Sequence, residues 1–213
     1  MIFDAAGLAI REIESAEDPA WEGWKSIYLD SFPPNERMTE EFFRGVLEQK
    51  AAGSASEAHM LALAPGDAPE RVIGLAYYEV DADLRASFLW YMATRRGERN
   101  RGYGSVLYSD VVRRLKREGV AILLFEVDIP ERARREEAEL GALAERRIGW
   151  YRRQGALLLG GVQYFQTVDA PVAPTEMHVM AHPLVPMTPE QVLAAASRMF
   201  GRAIKQTGPP TLR

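Results

Sequence analysis

The chain contains no cysteine and only three histidines in 213 residues. The first absence excludes disulfides, thiolate metal sites and any acyl-cysteine intermediate. His59, His178 and His182 are scattered without ligand spacing, so no metal is expected. His59 and His178 fall in predicted strands and are expected in the core or at a sheet edge. No apolar run reaches the ~18 residues that a membrane helix requires. Asp4, with no basic start around it, argues against a secretory leader. These absences predict a cytoplasmic protein with no membrane contact. A basic excess is missing too: 26 Lys and Arg stand against 30 Asp and Glu, a net charge of −4. A nucleic-acid surface usually needs a surplus of cations, so no nucleic-acid partner is expected.

What is present is ordinary for a soluble globular protein, 47% apolar and 26% charged. The length suits a single domain over residues 1–213 with a sizeable core. One stretch departs from the ordinary, Leu89 to Ser105, reading LWYMATRRGERNRGYGS. An apolar, aromatic-rich run breaks into the turn Arg99-Asn100-Arg101-Gly102-Tyr103-Gly104. A helix follows at once, with Val106, Leu107, Val111, Val112 and Leu115 spaced for one buried face. The first N–H groups of a helix lack intrahelical partners, and the dipole places partial positive charge there. Glycines let the backbone approach a phosphate, and Arg95, Arg96, Arg99 and Arg101 oppose only Glu98. The turn is a candidate phosphate cradle, although a plain basic helix-capping loop has the same composition. No Gly-Lys-Ser or Gly-Lys-Thr follows, so it is not a P-loop, and it lacks the third glycine of the dinucleotide fingerprint.

The turn resembles the Arg/Gln-x-x-Gly-x-Gly/Ala motif of the GNAT superfamily of N-acetyltransferases, and Leu89–Thr94 resembles that family's fourth strand. The resemblance implies that Arg99, Asn100, Arg101, Gly102, Tyr103, Gly104 and Ser105 grip the diphosphate of acetyl-CoA. It also implies that Met92, Ala93 and Thr94 bond its pantetheine arm. A second motif, Arg147-Ile148-Gly149-Trp150-Tyr151-Arg152-Arg153-Gln154-Gly155-Ala156, is similar to the family's Ala-x-x-Phe/Leu-Tyr-x-x-x-Gly-Phe signature. There the resemblance makes Tyr151 the general acid. A tyrosine packed on an amphipathic helix is the alternative. Three departures stand out: Ala156 replaces a phenylalanine, Gly149 lies inside the helix, and the usual asparagine before that helix is missing.

From end to end, Leu8–Ile13 alternates like a strand. Asp18 as N-cap with Pro19 at N1 predicts a helix carrying Trp21, Trp24 and Tyr28 on one face. With Phe32 these rings could wall an active cleft, but their helical spacing also suits a core stripe. Thr39 starts a second helix with Phe42, Phe43, Val46 and Leu47 inward, and a small polar linker, AAGSASE, follows. Strands are predicted at 58–64, 71–80, 87–94 and 121–128. Residues 131–154 read as one extended helix about 36 Å long, laced by Glu131–Arg135, Arg132–Glu136 and Arg135–Glu139 pairs, with Gly141 and Gly149 as bending points. A closing strand pair spans 161–166 and 177–180, joined by the proline-stiffened TVDAPVAPTE. Thr188-Pro189-Glu190-Gln191 is a capping box leading a helix with Val192, Leu193, Ala196, Met199, Phe200 and Ile204. This helical extension, 187–213, either covers the sheet or joins two copies into a homodimer.

The element order matches the acetyltransferase fold. The expected class is α/β in an α+β arrangement. Its mixed, mostly antiparallel sheet has about seven strands, splays between strands 4 and 5, is flanked by helices and gains a C-terminal helix. Amine attack on a thioester needs a deprotonated amine, donors for the oxyanion and a proton for the thiolate. Tyr151 would give that proton, and the resemblance has a backbone N–H near Met92 polarise the carbonyl. Glu126, matching a glutamate that some family members carry on the fifth strand, is the first candidate base. Glu36, in the break after the first helix, is the second, ahead of Glu79 and Asp128. The expected activity is acetyl transfer from acetyl-CoA to a primary amine by direct attack, with a small-molecule acceptor favoured over a protein. The alternatives are a non-catalytic acyl-CoA-binding or regulatory module of the same fold, or a phosphate-binding domain with no CoA preference.

Overall fold

A computed structural model describes residues 7–52, 57–166 and 174–213. Most of the AAGSASE linker and of the proline-stiffened loop (53–56 and 167–173) lies outside the described residues. Eight strands form one open mixed sheet in the order β1-β2-β3-β4-β5-β7-β6-β8, flanked by helices. The strands are β1 (Leu8–Glu12), β2 (Ala58–Pro65), β3 (Gly74–Asp81), β4 (Ala86–Thr94), β5 (Ile122–Val127), β6 (Leu157–Gln166), β7 (Thr175–Pro183) and β8 (Ile204–Leu212). The registers are antiparallel for β1–β2, β2–β3, β5–β7, β6–β7 and β6–β8. β4 and β5 run parallel over a short register, Ala86↔Ile122 to Phe88↔Leu124. They are joined through α3 (Tyr103–Arg117), because parallel neighbours need a crossover.

Two compact units divide the chain, the first running to Val80 and including Leu89–Arg114, the second comprising Asp81–Phe88 and Leu115–Arg213. In the first, α1 (Trp21–Ser31) and α2 (Glu40–Ala51) cover the sheet with Trp21, Trp24, Tyr28, Phe43 and Leu47 packed on Met60, Ala62, Leu75, Tyr77 and Tyr91. Trp24 stacks on Tyr28 at 5.4 Å, and Tyr28 meets Tyr91 edge-on at 4.9 Å. The aromatic stripe is therefore core. Asp18 does not cap α1, which begins at Trp21. Its carboxylate accepts from Ala20 N at 2.8 Å and from Arg11 at 2.8 Å, so it closes the preceding turn instead. Thr39 does cap α2, accepting from Phe42 N at 3.2 Å, but Phe42 itself is 40% exposed rather than inward.

In the second unit the expected single helix over 131–154 is two: α4 (Pro130–Glu136) and α5 (Ala138–Arg153). The break is at Glu137, extended at φ −157° and ψ 134°, not at either glycine. Gly141 has a different use, since a Cβ there would stand 2.6 Å from Arg134 Cβ. The absent side chain lets α5 fold back against α4. Of the three expected charge pairs, Arg132–Glu136 stands at 3.9 Å, while Arg135 and Glu139 lie on either side of the break. Arg134 instead pairs across the hairpin with Glu145.

The C-terminal extension is helical only over α6 (Pro189–Phe200), where both halves of the Thr188/Gln191 capping box are made. The rest is β8, so Ile204 sits in a strand and the sheet, expected at about seven strands, has eight. Pro209 and Pro210 hid it, because proline cannot donate to a ladder. It is tolerated here because β8 is an edge. α6 covers its own unit, with Val192 and Ala196 buried against Ile122, Leu124, Tyr164 and Val179.

Candidate active site

β4 delivers the chain into the basic turn. Asn100 and Gly102 both take left-handed backbone, at φ +65° and +86°. Nothing lies within 4 Å of a Cβ built on Gly102, so conformation rather than space requires glycine there. α3 begins at the next residue, and Ser105 N and Val106 N donate to Gly102 O at 2.9 and 3.2 Å. The N–H groups of Tyr103 and Gly104 precede those bonds and head the helix. Arg99 through Gly102 are exposed, and Tyr103 through Ser105 half-buried. The turn and the first residues of α3 thus place a helix start and its leading N–H groups beside exposed arginines.

The four arginines are not equivalent. Arg95 donates to Val72 O at 3.0 Å, Arg96 pairs with Asp30 at 3.0 Å, and Arg101 pairs with Glu98 at 3.0 Å. Arg99 makes a 3.4 Å bond to Thr94 O and, among the described residues, has no carboxylate partner. Further along, α3 is anchored by Asp110, 4% exposed and bound by Arg113 and Arg114. Arg114 also reaches Glu12 Oε2 at 3.3 Å, and Glu12 Oε1 is shared by Lys50 and His59. Burial works to raise the Glu12 carboxyl, but bonds from His59 and Lys50 outweigh it and hold the pKa down to about 2. His59 is therefore a hydrogen-bond partner of Glu12 as well as a ring stacked on Tyr78 at 4.8 Å.

Glu36 closes a short 3-10 turn, Pro34–Glu36, between α1 and α2. Its carbonyl accepts from the Tyr91 hydroxyl at 2.7 Å. Arg37 caps the end of α1 by donating to Phe32 O at 2.6 Å, and the Tyr28 hydroxyl accepts from Met38 N at 2.7 Å. The Glu36 backbone is thus fixed from both flanks while the residue stays half-buried. Glu79 accepts from the Tyr77 hydroxyl, which gives it a partner inside the same unit.

In the second unit Tyr151 lies on the last turns of α5, 8% exposed, with its ring 4.3 Å from Phe125 and 4.8 Å from Trp150. Burial pushes its phenol up to about 12, opposed by the charge of Arg147 one helical turn earlier. Arg147 is held by Asp128 at 2.8 Å, so Asp128 serves that pair. Gly155 ends the helix at φ +98°, and Ala156 N donates to Tyr151 O at 3.1 Å. His182 packs beneath Gly155; burial, then the charge of Lys116, lowers its pKa to about 4.

Glu126 is half-buried on β5, and its Oε1 accepts from Gln166 Nε2. Tyr164 is the second neighbour: burial first, then the Glu126 charge and hydrogen bond, raise its phenol well above the usual range. Neither Tyr164 nor Gln166 was singled out from sequence, although their two-residue spacing on a strand puts them on one face. Successive β5 residues point to opposite faces, so Tyr151 packs on the Phe125 side and Glu126 projects from the other. Within this unit the candidate acid and base are not neighbours. Among the described residues no three His, Asp or Glu side chains converge as metal ligands. No described helix is long and apolar enough to cross a membrane.

A model of the GNAT acetyltransferase family matches residues 21–142. A protein assigned to the GNAT family from Bacteroides thetaiotaomicron superposes with a TM-score of 0.68 at 21% identity, covering 91% of this chain and 98% of that one. The ribosomal-protein-S18-alanine N-acetyltransferase of Escherichia coli gives 0.54 at 18% identity over 85% and 96%. A Bacillus subtilis acetyltransferase solved with CoA gives 0.55 at 12% identity over 84% and 99%. At these identities the likenesses are of fold. No curated protein matches the chain in sequence.

Proposed function

The chain belongs to the GNAT family of acetyltransferases, and we propose that it moves the acetyl group of acetyl-CoA directly onto a primary amine of a small molecule. The observation that carries this is the turn before α3. Two left-handed residues, a helix start and Arg99, with no carboxylate partner among the described residues, support an anion-binding role for this turn. A CoA-bound neighbour of the same fold supports the identity of the ligand. On this reading Arg99, Asn100, Arg101, Gly102, Tyr103, Gly104 and Ser105 hold the diphosphate, and Met92, Ala93 and Thr94 offer backbone groups to the arm and thioester.

The amine, freed of its proton, attacks the thioester carbon. The oxyanion is met by the N–H near Met92, and the C–S bond then breaks, leaving a thiolate. Tyr151 gives its proton to that sulfur. A phenol near 12 is fully protonated at neutral pH, so it is stocked for this step and unsuited to act as a base. The amine proton goes to water or to Glu36, because Glu126 leaves β5 on the face away from Tyr151. Gln166 and Tyr164 fix the Glu126 carboxylate on one side of β5.

The burial of Tyr151 favours one rival, a non-catalytic acyl-CoA-binding module of the same fold. Thiol release from acetyl-CoA, screened against amino acids, polyamines, aminoglycosides and peptides, separates the two. Release with one amine class supports the enzyme. Tight CoA binding by calorimetry with no release across the panel would leave the binding module. Binding of ATP or NAD as strong as that of CoA would remove both.

A further inference from the structure

β4 is an inner strand, between β3 and β5. Its large apolar residues should be covered on both faces, and Phe88, Leu89 and Tyr91 are. Trp90 is not: it remains 36% exposed. Side chains alternate along a strand. Tyr91 and Ala93 join the cluster under α1 and α2, which puts Trp90, Met92 and Thr94 on the opposite face. Met92 and Thr94 are only half-buried. An accessible strip therefore runs from the indole to Thr94, about 13 Å at strand rise, and leads on to the turn at Arg99–Ser105. Leaving about a third of a tryptophan accessible on an inner strand forgoes the burial of apolar surface. A tryptophan so placed, with an anion-binding turn at the other end of the strip, suits an elongated ligand carrying phosphate at one end and a small apolar group at the other.

We propose that the Trp90 indole packs against the acyl group of the bound thioester and limits its length. This rests on the acyl-CoA reading above. Met92, two residues on and sharing that face, is the residue whose backbone is assigned to the thioester carbonyl, so the acyl carbons lie within reach of the ring. Trp21 and Trp24 are buried at 2% and 0% exposure, while Trp150 is half-buried beside Tyr151, so it is loss of the emission change in Trp90→Phe that assigns the signal to Trp90.

The test is binding of CoA, acetyl-CoA and butyryl-CoA to the full chain, by calorimetry and by tryptophan emission, in the parent, Trp90→Phe and Trp90→Ala. Acetyl-CoA is expected to shift the emission of the parent, CoA to shift it less than half as much, and Trp90→Phe to lose the change. The parent should prefer acetyl-CoA over butyryl-CoA by about tenfold or more, the scale of pocket discrimination between chain lengths. Trp90→Ala should shrink that to about threefold or less. An emission change as large with CoA as with acetyl-CoA, or chain-length preference intact in Trp90→Ala, overturns the acyl contact while the acyl-CoA reading stands. Absence of any thioester binding by calorimetry overturns that reading and this inference together. Should Trp90→Ala not fold, the emission comparison with Trp90→Phe decides alone.

Discussion

The hydroxyl of Tyr91 donates to the carbonyl of Glu36 across 2.7 Å, joining two residues 55 positions apart. Tyr91 directly precedes Met92 on β4, and Glu36 lies in the loop between α1 and α2. One part-buried hydrogen bond therefore ties the strand assigned to the thioester to the loop that carries the candidate base Glu36. Tyr91→Phe keeps the ring contacts with Tyr28 and Phe43 and removes only the hydroxyl. A stability loss of about 1 kcal/mol is expected, with the KM of the accepted amine rising more than that of acetyl-CoA. Equal changes in both constants would show that the bond does not order the loop for the acceptor.

Tyr151→Phe should lower kcat by about a hundredfold, the usual scale of a lost general acid, with acetyl-CoA affinity nearly unchanged. Arg147 opposes the burial that raises the Tyr151 phenol. Removing that cation in Arg147→Gln should make the phenol a weaker acid and reduce kcat, while Arg147→Lys retains most of it. Rates equal to the parent in Tyr151→Phe across the pH range would take the acid role from this residue.

The arginines of the turn predict unequal effects. Arg99→Ala should weaken CoA binding by about tenfold, with a shallower salt dependence, as loss of one charge-assisted contact implies. Arg101→Ala should cost less, because its charge is already matched by Glu98. Gly102→Ala forces a side chain into φ +86° and should cost about 1–2 kcal/mol of stability as well as affinity. Isothermal titration with CoA at two ionic strengths separates these cases.

Acid stability should centre on Glu12. Its carboxyl is held at about 2 in the fold against an ordinary 4.5, so it contributes stability that is present above pH 4.5 and is lost as the pH falls toward 2. The linkage corresponds to at most about 3 kcal/mol. His182, lowered to about 4 by burial and Lys116, acts in the same direction between pH 6.5 and 4, since the unfolded chain binds that proton first. Glu12→Gln is expected to melt below the parent at pH 7 and to show a flatter Tm profile between pH 5 and 3. Parallel profiles for the two proteins would remove Glu12 as the source.

The class of fold and the basic, glycine-containing turn ahead of a helix were legible in the sequence, because both rest on local patterns. Glycine spacing, arginine placement and a following amphipathic helix are written in some fifteen adjacent residues, and period-two and period-3.6 patterns marked most strands and helices. It also led to Tyr151 through a motif spanning one helix end. Where contacts join distant positions, sequence had no access. It could not show that Arg101 and Arg96 are matched by carboxylates while Arg99 is not, or that Glu126 is gripped by Tyr164 and Gln166 on the side of β5 away from Tyr151. The break at Glu137 was hidden because helical charge pairing continues across it; only the packing of α5 on α4 through Gly141 decides it. β8 was invisible because its prolines contradict strand propensity, and edge position, a property of the assembled sheet, is what permits them.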